Sequence, residues 1–159
     1  MVLLGVTLDS NLSWTLHVDN VVSHISQRFY LMNQLKKMGL DLAGLNSNFS
    51  ALVVGRVRYA LPVFSGSLLQ GDIDRINAAF RKGKRWGLTN VEYDFDLIST
   101  LADTDLARKV DRAGHCLHPL IPPARTCTKY NLRPIACKYD LPKFKFDKLK
   151  TSFIYRSFS

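Results

Sequence analysis

The densest group of residues able to do chemistry is a run of carboxylates, Glu92, Asp94 and Asp96, with Asp103 and Asp105 close behind. In a strand, alternate spacing places the first three on one face. There they would offer the oxygen ligands for Mg²⁺ that metal-dependent polymerases, nucleases and phosphatases need. The same residues also stand just ahead of segments with helical patterning, where acids favour the positive end of the helix dipole. Capping is the preferred reading, because only the spacing asks for a metal.

A second group is His115-Cys116-x-His118, with Cys127 and Cys137 further on. Four nitrogen and sulfur ligands can close a tetrahedral zinc site, but zinc signatures pair their ligands tightly, and Cys127 and Cys137 are isolated. The plainer reading is a helix end with a buried thiol. No serine sits in a G-x-S-x-G elbow, and the sequence has neither a P-loop nor a G-x-G-x-x-G turn. No catalytic residue, metal or cofactor is expected.

The strongest local signal is basic: Arg81-Lys82-Gly83-Lys84-Arg85-Trp86, with Arg75 upstream. Arg81 and Arg85 are one helical turn apart and can form a ridge while Ile73, Ile76 and Phe80 face a core. Gly83 would let a phosphate backbone approach, and Trp86 could stack on a base or merely pack. The alternative is an ordinary solvated helix face.

The whole chain shares this bias. Its 159 residues suit one domain with an appendage, and its 47% hydrophobic and 22% charged content is that of a globular protein, but its net charge is +9. From Pro122 to Ser159 there are nine lysines and arginines against two aspartates, so a near-neutral body precedes a basic tail. That asymmetry points to a polyanionic partner, with nucleic acid ahead of an anionic membrane. Lys143, Lys145, Lys148 and Lys150 join the candidate contacts. An odd cysteine count, an apolar start too short for a secretory signal, and the absence of an apolar run of about 20 residues suggest an intracellular setting and no membrane partner.

Hydrophobic periodicity supplies the elements. Met1 to Leu8 reads as a single strand whose pairing partner lies in the tail or outside the chain. Ser13 is the expected N-cap of a helix over 14–38, where Val18, Val21, Ile25, Phe29 and Met32 recur at three- and four-residue steps and Gly39 ends the run. Further helices are expected from about Asp41 or Asn46 to Ala60, halted before Pro62, and over 72–86, then at Asp94–Leu101 and Thr104–Leu117. Past Pro122 and Pro123, Lys143-Phe144-Lys145-Phe146 alternates with the two-residue period of a strand or extended arm.

Taken in order, several segments resemble the C-terminal part of the reverse transcriptase of non-LTR (LINE-type, jockey-like) retrotransposons. Leu4-Gly5-Val6-Thr7-Leu8-Asp9, Leu12-Ser13-Trp14 and His17-Val18 resemble that family's "LGV-x-hD…LsW…Hh" passage, which closes the palm and leads into the thumb. Arg56 to Phe64 resembles "hRPhLEYA-x-PVW", with Val57, Arg58 and Phe64 departing from it. Ile73 to Asn77 with Phe80-Arg81 resembles "LERVQ-x-x-x-R". Tyr130 to Arg133, Leu141-Pro142 and Ser152-Phe153-Ile154 resemble the family's tail.

The resemblance implies a remnant palm strand over 1–12, a helical thumb-like domain over 13–121 and a basic extension over 122–159. The fold class expected is mainly α: a small helical bundle with a short N-terminal β-strand and an extended, partly β tail. The family's F/Y-A-D-D motif has no counterpart here, so the chain is expected to be a reverse-transcriptase fragment, not an enzyme by itself, whose palm would be supplied elsewhere. Its expected partner is the RNA or DNA backbone rather than a small molecule. The alternatives are a stand-alone helical protein-interaction module and a small zinc-dependent module using the His/Cys set.

Overall fold

A computed structural model describes residues 1–11, 13–112, 114–123, 139, 141 and 150–158. The chain is mainly helical, with a short antiparallel sheet at its N-terminus. The Met1–Leu8 segment is two strands rather than one. β1 (Val2–Leu3) pairs with β2 (Val6–Thr7) in the register Val2↔Thr7 and Leu3↔Val6. Leu4 (φ 48°) and Gly5 (φ 80°) form the turn, with the two positive φ angles that let a two-residue loop follow the strand twist. The backbone groups thought to need a distant partner are satisfied within the hairpin, which Met1 and Leu8 close from both sides.

α1 (Thr15–Lys37) begins one residue later than expected, and its N-cap position is held by Trp14 without a side-chain cap. Tertiary contacts fix this end instead: the Trp14 ring packs 5.8 Å from that of Phe64, and Thr15 Oγ1 donates to the buried Asp72 carboxylate. The far end closes with Gly39 in the left-handed region (φ 89°). There Leu40 N–H bonds to Leu35 O and Gly39 N–H to Lys36 O, the paired bonds of a Schellman cap.

The next helical stretch takes the earlier of the two expected starts, at α2 (Leu42–Phe49), where Asp41 accepts from Gly44 N–H. It passes through a π-helical segment, Ser50–Val54, and ends as α3 (Gly55–Arg58). The buried residues Leu45, Phe49, Val53 and Val57 recur every four positions. At 3.6 residues per turn such a row drifts around an α-helix. A π-turn, closed i→i+5 with roughly four and a half residues, turns it back. The segment thus keeps Phe49, Val53 and Val57 on one core-facing line.

Tyr59 is extended and Ala60 left-handed (φ 55°), and Pro62 falls in the first turn of α4 (Leu61–Phe64). After a 3₁₀ turn, α5 runs over Gln70–Arg85 and α6 over Phe95–Val110. α6 replaces the two helices expected over 94–117. No proline or glycine interrupts it, and Thr104 turns its hydroxyl back onto Thr100 O at 2.8 Å rather than starting a new helix. A short α7 (Phe153–Phe158) follows in the C-terminal stretch. The core joins α1, α2, the π segment, α3, α4, α5 and α6 around Phe29, Phe49, Phe64, Phe80 and Phe95.

Candidate nucleic-acid interface

Periodicity along α5 turns Ile76, Ala79, Phe80 and Gly83 inward. At 100° per residue the opposite meridian passes close to Arg85 and Arg81, with Lys82 on one flank and Lys84 on the other. Arg81 and Arg85 are exposed as expected, and neither forms an ion pair among the described residues.

The flanks differ. Lys84 is paired with Glu92, whose carboxyl is held below its ordinary range by hydrogen bonding to Lys84 first and its charge second. Arg81 and Lys84 border a shallow groove that also contains Glu92 and Asp94, so acidic groups offset this side. The other flank looks towards the end of α1. Lys82 Nζ lies over the Trp86 ring at 4.6 Å, and Lys36 Nζ donates to Trp86 O at 2.8 Å. Lys37, in the same last turn of α1, is exposed.

α5 ends as α1 does: Gly87 is left-handed (φ 65°), Leu88 N–H bonds to Gly83 O, and Gly87 N–H to Lys84 O. Two Schellman-capped C-termini therefore meet at Trp86 and carry Lys36, Lys37, Lys82 and Arg85. Lysines in a last turn complement the dipole of their own helix. Bringing two such turns together concentrates positive charge beyond what either helix needs. Within the sequence, Lys36 and Lys37 are simply the basic residues of the last turn of α1. Sequence proximity carries no sign that they meet Trp86, 50 residues away.

Three other expected contacts have partners within the fold. Gly83 does not open the helix to phosphate: it is buried, and a Cβ there would overlap the Phe49 ring. Trp86 packs against Phe29 (ring centroids 5.9 Å) beneath Lys82, which leaves less of it available to a base. Arg75 is engaged by Asp19 and by Asp72, and hydrogen bonding to Asp19 is the main reason its pKa is raised. Arg75 thus fastens α5 to α1. In the tail, Lys150 is exposed, and Lys143, Lys145 and Lys148 lie outside the described residues.

The other candidate chemistry resolves into structure. Asp94 Oδ2 accepts from the N–H groups of Asp96 and Leu97 and caps α6, as the capping reading had it. Asp103 and Asp105 pair with Arg156 and Arg58. His115 Nδ1 accepts from Leu117 N–H, and His118 Nδ1 is 2.9 Å from Val110 O. Cys116 is exposed, not the buried thiol expected, because the chain has left the helix before reaching it. Cys127 and Cys137 lie outside the described residues. Among the described residues no three His, Cys, Asp or Glu side chains converge as a metal site, and no helix is long and apolar enough to cross a membrane.

No family model matches the sequence, and neither a curated protein nor a solved structure does.

Proposed function

We propose that this chain binds the sugar-phosphate backbone of RNA or DNA without reading base sequence, as the thumb-like part of a non-LTR-type reverse transcriptase. The observation that carries the reading is the meeting of two helix C-termini at Trp86, where Lys37, Lys82 and Arg85 have no carboxylate partner among the described residues. Uncompensated cations on a rigid, doubly capped corner suit phosphate contacts, which position a strand but do not specify it. Trp86, covered on one face by Lys82, serves as the floor on which that cation rests.

The family part of the reading is supported by where the resembling segments fall. Tyr59 donates its hydroxyl to Leu4 O at 2.7 Å, Thr7 N–H donates to His17 Nδ1, and the rings of Trp14 and His17 both pack on Phe64. Segments far apart in the chain thus form one cluster. No F/Y-A-D-D motif is present in this sequence, so the reading gives these residues a holding role and no polymerase chemistry.

The test is binding of a labelled duplex between roughly 50 and 200 mM salt, where phosphate-dominated affinity falls steeply. A Lys37→Gln/Lys82→Gln/Arg85→Gln variant is expected to weaken binding and flatten the salt slope by roughly 0.9 per lost contact. Lys84→Gln and Arg75→Gln are expected to leave the slope unchanged. No binding at low salt, or a slope indifferent to the triple variant, overturns the reading.

One observation favours the alternative of a protein-interaction module: Met1 and Leu4 are 80% and 82% exposed at the hairpin, an apolar tip on the surface. That role predicts a partner whose affinity falls on Leu4→Ser and changes little with salt.

A further inference from the structure

A second concentration of positive charge lies away from Trp86. α1 carries His24 and Arg28 one turn apart and therefore on one face. Facing them across a groove of about 400 Å³ are Ala51 and Leu52 of the π segment, then Gly55 and Arg56 of α3, with Tyr59 at one end. The lining includes two guanidinium groups, an imidazole and a phenol, and no carboxylate. Neither Arg28 nor Arg56 forms an ion pair among the described residues, whereas Arg58, Arg75 and Arg156 do.

The floor is notable for what it lacks. Gly55 has helical backbone angles, where glycine costs about 0.5–1 kcal/mol relative to alanine. No packing demand explains it: a Cβ there would meet only Ser50 O, at an ordinary 3.5 Å. Gly83, by contrast, is excluded from larger residues by the Phe49 ring. At Gly55 the missing side chain keeps the groove open. π-turns in helices occur often at functional sites, and this one contributes Ala51 and Leu52 to the same wall.

We propose that this groove is a binding site for a phosphate group, held by the guanidinium groups of Arg28 and Arg56 with the His24 imidazole as a further donor. Guanidinium groups present fixed forks that match phosphate oxygens, and two of them with no carboxylate between them form an anion site. The phosphate belongs either to a nucleic-acid strand or to a free phosphorylated compound. This site shares no residue with the corner at Trp86, so either can fail without the other.

The experiment is calorimetric titration of the full chain with inorganic pyrophosphate at low salt. Saturable binding is expected. Arg28→Gln should weaken it roughly tenfold, the loss of one charge-assisted hydrogen bond. Gly55→Leu should abolish it by filling the floor, with helical circular dichroism and thermal midpoint retained, since the added Cβ meets only Ser50 O at an ordinary distance. The Lys37→Gln/Lys82→Gln/Arg85→Gln variant should bind pyrophosphate like the parent chain. Absence of binding overturns the proposal. So does binding that survives both groove variants, or that the corner variant weakens as much as Arg28→Gln does. A single-stranded oligonucleotide arm distinguishes the sources: a comparable loss with Arg28→Gln identifies strand phosphate, and a loss confined to pyrophosphate identifies a free phosphorylated compound.

Discussion

Arg156 and Asp103, 53 residues apart in the chain, hold each other through both carboxylate oxygens: Arg156 Nη2 lies 3.1 and 2.9 Å from Oδ1 and Oδ2, and Nε lies 3.2 Å from Oδ2. The same guanidinium donates to Ser65 Oγ at 2.9 Å and to Pro62 O. One side chain of α7 thus ties α6 to the α4 corner. With side-chain exposures of 23% and 18%, the pair is sheltered enough to matter.

Arg156→Gln or Asp103→Asn should therefore each lower unfolding stability by about 2 kcal/mol, the cost of leaving a charged hydrogen-bonding partner unsatisfied. The double variant should lose clearly less than the sum of the two, since each single change already breaks the contact. Urea denaturation of the three variants measures this. Additive losses would show that the pair is not the tether.

His17 supplies a pH dependence. It is buried, its Nδ1 accepts from Thr7 N–H, and its ring stands edge-on to Phe64 at 4.8 Å. Desolvation first, and the charge of Arg56 second, hold its pKa below the ordinary 6.5. The unfolded chain therefore takes up this proton at a higher pH than the native one. The stability that neutral His17 provides is present above pH 6.5 and is lost as pH falls through the depressed native value. Thermal midpoints should fall as the medium is acidified below pH 6.5, with a shallower decline in His17→Gln, which keeps an acceptor but does not titrate. Equal declines in both proteins would contradict this.

Gly83→Ala should destabilise the chain by about 1–3 kcal/mol, because the added methyl group enters the space of the Phe49 ring. Nucleic-acid affinity of the folded fraction should be unchanged. A loss of affinity at full stability would return Gly83 to the surface role suggested by its basic neighbours.

Ala60→Gly should stabilise by up to about 1 kcal/mol. Ala60 is held at φ 55°, where a Cβ is unfavourable, and relief of that strain is partly offset by the greater freedom of glycine when unfolded. Chemical denaturation decides the sign.

The long helices were legible because their apolar residues repeat on one face and because glycines stand where the Schellman caps require them, at Gly39 and Gly87. The basic ridge was legible because it is contiguous. The hairpin was hidden by a turn built on Leu4-Gly5, where leucine takes a positive φ that its type disfavours. Arg156 was counted as tail charge because only the fold brings Asp103 to it. The same holds for Lys36 at Trp86 and for Arg28 opposite Arg56: each pairing joins separate helices, and no local spacing encodes it. The four-residue row from Leu45 to Val57 was not read from the sequence, because it depends on a π-turn that periodicity analysis does not anticipate.

That π-turn makes the helix unevenly tolerant of insertions and deletions. Dropping Ser50, Ala51 or Leu52 would change the four-residue row into the 4-3-4 rhythm of an ordinary α-helix, with Leu45, Phe49, Val53 and Val57 still inward. Dropping one residue from α1 or α5 would instead rotate everything downstream by about 100° out of the core. The segment behaves as a single surplus residue absorbed without loss of register, a stretch of the described helical framework where chain length can change and the packing survive.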